Sequence, residues 1–390
     1  MGGDPVPIGR RVAYLRVRRR LSQQSFADRL GKSKSWVDKV ERGVRSLERV
    51  STIREVAAVL RVDAAALLGR DAQPAEVAER REGVARIRAA LSAYSMAFGR
   101  PTSREVRSAD WLVREVRHVW MTYQHARYPR LVELLPALVT EVHRAHAQDS
   151  EAGRAAVVET YRVTAALLVK LDEGSLAWLA ADRAMSAAAG DRVLLACAAV
   201  QLGQVLRASA RARPVLLAAA DQIGPADKQM SSLRGSLLVQ AALIAARAGD
   251  ERVVGTLLGE AADLGARVGD GHDHYRTAFG PAAVELARVA AAVELGDGPQ
   301  AVARHEEAIG RDGWRWLPVE HRAAHLIDAA RAYLRTNDPT NAARVLLQAD
   351  SFAPAEIRHR PAGRDVVAQV AREPDAPPRI TQLAVALGVV

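Results

Sequence analysis

Apolar residues recur at helical spacing from Ile8 onward. Ile8, Val12 and Leu15 share one face, and the VRRR run after them closes this first predicted helix with a basic outer surface. A second helix is expected after Ser22, whose hydroxyl can cap free backbone N–H groups. Phe26, Ala27 and Leu30 form its inner face, and Gly31 breaks it. Ser33 then caps a third helix, KSWVDKVER, with Val37 and Val40 inward and Gly43 placed as a left-handed C-terminal stop. Two helices separated by so short a Gly-containing turn fit a helix-turn-helix. Val50, Ile53, Val56, Ala57 and Leu60 predict a fourth helix over about residues 50–60, and a short fifth ending in LLG completes a five-helix domain within residues 1–70.

Residues 71–80, DAQPAEVAER, are polar and carry Pro74, so a linker is expected there. From 81 to 372 the pattern is Ala-rich helix after helix. Turn signals stand at AAAGD (187–191), ARAGD (246–250), VELGD (293–297) and LRTND (334–338), the last three about 40 to 47 residues apart. Ala245, Ala301, Ala330 and Ala342 flank these turns and let two helices approach closely. An antiparallel pair repeated in tandem cannot bury its apolar face alone and must stack on its neighbours. The expected fold class is all-α, a helix-turn-helix domain followed by a curved α-solenoid; a plain bundle of long Ala-rich helices is the simpler alternative. Residues 373–390 hold a Pro-rich spacer and one short apolar helix, read as a terminal cap or a dimer contact.

Composition narrows the class. A chain of 390 residues, 49% hydrophobic and only 4% aromatic, is long enough for more than one core, and no apolar stretch reaches the ~18–20 residues of a membrane span. The N-terminus lacks the apolar run of a signal peptide and the single Cys197 has no partner in the chain, so a reducing cytoplasm is the expected compartment. Cys197 lies in LLACAAVQL and reads as a core thiol.

Charge changes the picture more. Residues 1–70 carry 16 Lys and Arg against 7 Asp and Glu, a net +9 of the chain's +10. Three of the five lysines, Lys32, Lys34 and Lys39, fall within eight residues of one another there. That is the footprint of a domain that neutralises phosphates.

The segment IGRRVAYLRVRRRLSQQSFADRLGKSKSWVDKVERG, with VSTIREVAAVLRVDAAALLG after it, resembles the XRE, or Cro/repressor-like, helix-turn-helix family. The resemblance rests on the LSQ entry to the second helix, Ala27, Gly31, Ser33, Val37, Val40 and the ERG ending; Phe26 and Arg61 depart from the usual Leu and Gly. It implies that the third helix lies in the major groove of double-stranded DNA, with Lys34, Ser35, Asp38 and Lys39 toward base edges. Lys34 and Lys39 suit guanine, Ser35 either kind of edge, and Asp38 cytosine N4. Trp36 either stacks on the sugar-phosphate or contacts a thymine methyl, or else packs half-buried against the first helix of its own domain. Gln23 matches the family position that meets a phosphate at the start of the second helix, and Arg18, Arg19, Arg20, Lys32, Arg42 and Arg45 are further phosphate candidates or plain surface charges. So small a reader covers few base pairs, which implies a homodimer on a palindromic operator with half-sites about 34 Å apart.

The repeats resemble tetratricopeptide-like helical pairs, and their union with an XRE domain resembles actinobacterial regulators of that architecture. By that analogy the solenoid takes a signalling peptide or a small molecule on its concave face. Candidate lining residues are Trp120, Tyr123, Gln124, Tyr161, Arg162, Lys170, Trp178, Asp182, Arg183, Gln240, Tyr275 and Phe279, although Tyr and Trp most often pack repeats together. The loop VGDGHDHYRTAFGP (268–281) departs furthest from the helical pattern, and either closes over a ligand or is a long connection. His321 and His325 share a helical face without a third metal ligand, so no metal and no cofactor is expected, and no motif points to an enzyme. The rival reading gives the solenoid a protein partner, with the basic domain a reader or a loose tether to DNA.

Overall fold

The computed structural model describes residues 7–19, 21–47, 49–60, 62, 64–67, 73–93 and 107–389, and every regular element among them is helical. Near the N-terminus these are α1 (Ile8–Arg18), α2 (Gln23–Leu30), α3 (Lys34–Glu41), α4 (Val50–Leu60) and α5 (Ala64–Leu67). Local chemistry sets their ends. The Ser22 hydroxyl accepts from the Ser25 N–H at 3.0 Å and the Ser33 hydroxyl from the Trp36 N–H at 3.1 Å, each filling one orphan donor of a first turn. Gly31 and Gly43 end α2 and α3 at φ +63° and +74°, a region that strains any other residue. Val12, Phe26, Ala27, Val37, Val40, Ile53, Val56, Ala57 and Leu60 form one buried cluster, completed by Leu47 and Leu67. Gly9 adds a constraint that spacing does not show. A Cβ there would lie 2.0 Å from the Val40 carbonyl oxygen, so α1 crosses α3 at a distance that excludes a side chain.

The chain forms two compact units, Met1–Arg81 with Arg364–Val390, and Glu82–Gly363. Residues 73–80, expected as linker, instead open the long helix α6 (Gln73–Leu91); Pro74 falls in its first turn, where a missing N–H leaves no helical bond unmade. Residues 71 and 72 lie outside those described.

The second unit continues with α7 (Ala109–Gln124), α8 (Tyr128–Gln148), α9 (Ser150–Lys170), α10 (Gly174–Ala187), α11 (Arg192–Val205), α12 (Ala212–Gln222) and α13 (Lys228–Arg247). After these come α14 (Glu251–Val268), α15 (Pro281–Leu295), α16 (Gly298–Gly310), α17 (Val319–Arg335), α18 (Pro339–Phe352) and α19 (Pro354–His359). All four turn signals separate consecutive helices. Asp191, Asp250, Asp297 and Asp338 each cap the next helix through a backbone N–H, and Gly190, Gly249, Gly296 and Asn337 supply the positive φ just before. Ala245, Ala301, Ala330 and Ala342 are buried where the paired helices meet the array.

The odd-numbered helices from α7 to α17 pack each on the next as an inner layer, and α10, α12, α14, α16 and α18 back it. This is a repeat-like array. Its first and last inner helices, α7 and α17, also touch, so the curve closes around an interior. No helix among the described residues is long and apolar enough to cross a membrane.

The C-terminal segment departs from expectation. Residues 364–372 were expected in the repeats and 373–390 as their cap, yet α20 (Pro361–Ala371) crosses the division between the units and α21 (Pro378–Leu387) packs on α4 and α5. The cause is the apolar surface of α21. Ile380, Leu383, Ala384, Val385, Ala386 and Leu387 are all buried within the chain, which leaves little of this helix to offer a second copy.

Candidate nucleic-acid interface and ligand cavity

Helix α3 buries Val37, Val40 and Glu41 and turns the rest of its surface outward. Lys34, Ser35 and Lys39 are exposed, the first two in the N-terminal turn, where the unpaired N–H groups already favour an anion. Asp38 is partly exposed and lies 3.4 Å from Arg42, so its carboxylate is shared with a neighbouring cation. Trp36 is half-buried and packs on the core of its own domain. Arg18, Arg19, Lys32, Arg42 and Arg45 are exposed, while Arg20 lies outside the described residues.

What holds this surface is a buried carboxylate. Glu41 accepts from Arg16 Nε at 2.6 Å and Nη2 at 3.0 Å, and from the Gln23 amide at 2.8 Å, while Arg16 Nη1 donates to the Leu21 carbonyl at 2.7 Å. The two-pronged pair ties the end of α1 to the end of α3, and Gln23 joins the start of α2 to both. Gln23, expected at a phosphate, is therefore first a strut between helices. Sequence spacing used Glu41 only as part of an ending. The missed signal is its place on the Val37 and Val40 face, where a carboxylate requires a buried cation.

In the second unit the inner layer lines a half-open cavity of about 430 Å³. Lys170 from α9 is ion-paired with Glu320 of α17 and lies 2.9 Å from Glu356 of α19, and the hydroxyls of Tyr123 and Tyr128 donate to Glu320 and Glu356. All three charged groups are buried. Burial alone would raise the Glu320 carboxyl, but Lys170, His321 and Arg360 outweigh it and hold it at about 2. The closure of the array is thus ionic as well as apolar.

Cations predominate in the wall. Arg247 lies 3.7 Å from Glu294, Arg276 lies 3.2 Å from Asp273, and Arg360 lies 3.7 Å from Glu356. Among the described residues no carboxylate lies within ion-pair distance of Arg207; its Nη2 donates to the Gln240 amide oxygen at 2.9 Å and its buried Nε has no partner. Among the described residues four other buried wall atoms also lack a hydrogen-bond partner, the Trp120 indole N–H, His321 Nδ1, His325 Nδ1 and Arg360 Nη1, the last of which still faces Glu356 at 3.7 Å.

One side of the cavity is closed by the loop 268–281, which contributes Arg276, Thr277 and Phe279. Tyr275, Arg276 and Ala278 all take positive φ, at 52°, 60° and 45°, so the loop is strained at three non-glycine residues. Its neighbours over-determine that shape. The buried Arg162 donates to the Tyr275 carbonyl at 2.9 Å and to Gln201 at 2.7 Å, Gln124 donates to Asp273 at 3.0 Å, and Ser232 and Thr277 share a bond at 3.1 Å. Gly235 leaves the space that the Phe279 ring fills, since a Cβ there would lie 2.0 Å from it. Beyond the loop, Tyr275 and Arg276 border a more open hollow of about 470 Å³ against α7 and α9.

Trp120, Tyr123, Lys170, Gln240 and Phe279 therefore meet in one cavity. Gln124, Arg162 and Tyr275 position the loop beside it. Tyr161 is buried against His143, Arg183 reaches the Leu91 carbonyl, and Trp178 and Asp182 are exposed on α10, where the outer layer carries them away from the interior. Gln201, Arg207, Glu320, His325 and Arg360 were missed as lining residues. Polar groups such as Gln201 and Arg207 at the end of an otherwise apolar helix are a signal, but which helices face them is not. Cys197 is buried and its thiol is pushed up to about 12 by that burial, as suits a core residue.

Comparison with known families matches a helix-turn-helix domain to residues 7–68. The chain thus carries a helix-turn-helix DNA-binding domain at its N-terminus. No curated protein matches the chain, and no solved structure does.

Proposed function

We propose that this protein is a sequence-specific transcription regulator of the XRE type, acting as a homodimer, whose tetratricopeptide-like array binds a peptide or small-molecule signal. The observation that carries the reading is the outward face of α3. Lys34, Ser35 and Lys39 stand exposed on a helix pinned by Glu41, in a region that holds nearly all of the chain's excess positive charge. Such a helix enters the major groove without rearrangement of its own domain, and the exposed arginines around it suit phosphates. Asp38 reads a base only by giving up part of its bond with Arg42. For the array, the supporting observation is a half-open interior cavity with polar groups left unpartnered.

The test is binding of the full chain to DNA selected from random sequence. Replacing Lys34 and Lys39 by Ala should cost about 1–3 kcal/mol per lost reading contact on the selected site and little on unrelated DNA. Affinity should fall with salt at a log-log slope of about 0.9 for each phosphate met. Equal weakening on every sequence would instead favour the tether reading.

A further inference from the structure

The cavity's own charges point to the head group it receives; this rests on the reading of the array as a sensor. Five cations stand in or directly behind the wall around Arg207, namely Lys170, Arg207, Arg247, Arg331 and Arg360. Four carboxylates answer them, Glu294, Glu320, Asp328 and Glu356. The cation left over is Arg207. Among the described residues it has no ion-pair partner and its buried Nε–H is unsatisfied; burial and the like charges of Arg360 and Arg247 disfavour its protonated form, and Asp328 and Glu294, which lie beyond ion-pair distance, offset them only in part. A guanidinium in this setting lacks one anion.

The rest of the wall defines the body of the ligand behind its anionic head. Val239, Leu243, Phe279, Leu286 and Ala290 make up an apolar part of the same lining. The Trp120 N–H and His325 Nδ1 add polar points for a ligand that carries more than a chain. A volume of about 430 Å³ is in the range that takes a small molecule rather than a folded partner.

We infer that the array binds a small amphipathic anion, with a carboxylate or phosphate-ester head on Arg207 and an apolar body against Phe279 and its apolar neighbours in the lining. The planar fork of Arg207 offers its free Nε and remaining Nη hydrogens to two oxygens of the head, and Gln240 holds the guanidinium in place. Filling the cavity also covers the inner side of the loop 268–281, so occupancy should order that loop further.

Calorimetric titration of the full chain with octanoate, octyl phosphate, 1-octanol and octylamine tests this. One or both anions should bind at least ten-fold tighter than the alcohol and the amine, and which anion prevails identifies the head group. Arg207→Gln should remove that preference while leaving binding of 1-octanol unchanged, and Arg207→Lys should keep part of it. The unmodified chain already decides the matter if the variant does not fold. Alcohol or amine bound as tightly as the anions overturns the assignment yet leaves a small-molecule sensor standing. If none of the four binds, the assignment falls; the sensor reading falls with it only if a small-molecule extract of the producing cells changes neither melting temperature nor DNA affinity.

Discussion

In the helix-turn-helix unit the candidate base-reading groups share eight residues of one helix and face outward. In the repeat unit Trp120, Lys170, Arg207, Gln240, Glu320 and Arg360 come from six separate segments and face inward. The first arrangement depends on a local scaffold, in which caps and a small core suffice to present α3. The second exists only while the array stays closed. The ion pairs of the two units differ in the same way, since Asp38 and Arg42 are largely exposed whereas Lys170, Glu320 and Glu356 are out of water.

The contrast is broken most sharply at Lys170. Lys170→Met removes the cation shared by two buried carboxylates, leaving Glu356 only the longer contact with Arg360, and the repeat unit should lose about 3–5 kcal/mol in denaturant unfolding while the N-terminal unit is unaffected. A loss confined to a few tenths of a kcal/mol would mean the closure is not ionic.

Next comes the C-terminal helix. Ile380 is fully buried, so Ile380→Ala should cost at least about 2 kcal/mol, and the cost should appear in the transition of the helix-turn-helix unit, with which α21 packs. Unfolding followed by a probe on α3 separates the two cases, because a loss seen only in the repeats would detach α21 from the reader.

Acid sharpens the comparison further. All ten histidines lie between residues 82 and 363. Burial, assisted by neighbouring charge, holds His143 and His305 down at about 4 and His325 at about 3. The unfolded chain takes up these protons near pH 6.5, the folded one only below about 4, so their contribution is full above about 6.5 and is lost as pH falls. Between neutrality and about pH 5 each of these three histidines should cost the repeat unit up to about 2 kcal/mol, on the order of 5 kcal/mol together, read by scanning calorimetry. The N-terminal unit, which has no histidine, should hold its midpoint through that interval.

The smallest effect is expected at Asp38. Asp38→Ala removes an exposed pair and should change stability by less than about 1 kcal/mol, while altering which base the helix prefers. Thermal unfolding and DNA selection on the same variant give both numbers. A stability loss above about 2 kcal/mol would falsify the view that α3's outer face is free for DNA.

The reader was legible because its determinants are near one another in the chain. Ser22, Gly31, Ser33 and Gly43 act on backbone groups within three or four residues, and Val37 and Val40 share a helical face by spacing alone. The inter-repeat turns were legible for the same reason, each pairing a positive-φ residue with an Asp cap. Gly9 and Glu41 were not, since each answers to a residue on another helix, Val40 for the first and Arg16 for the second. The loop 268–281 could be marked as unusual, but its strain at Tyr275, Arg276 and Ala278 depends on Arg162 and Gln124, more than a hundred residues away.

By itself, then, the sequence determined the helix-turn-helix domain, its charge and the capped turns between repeats, though not the helix over residues 73–80, because hydrogen bonds of a cap and the period of a helix are local. The tertiary structure alone decided that the array closes, that Arg207 is left without a partner, and that α21 joins the N-terminal unit. Those outcomes depend on which distant surfaces meet once apolar faces are buried, and burial selects partners by shape and charge in space rather than by separation along the chain.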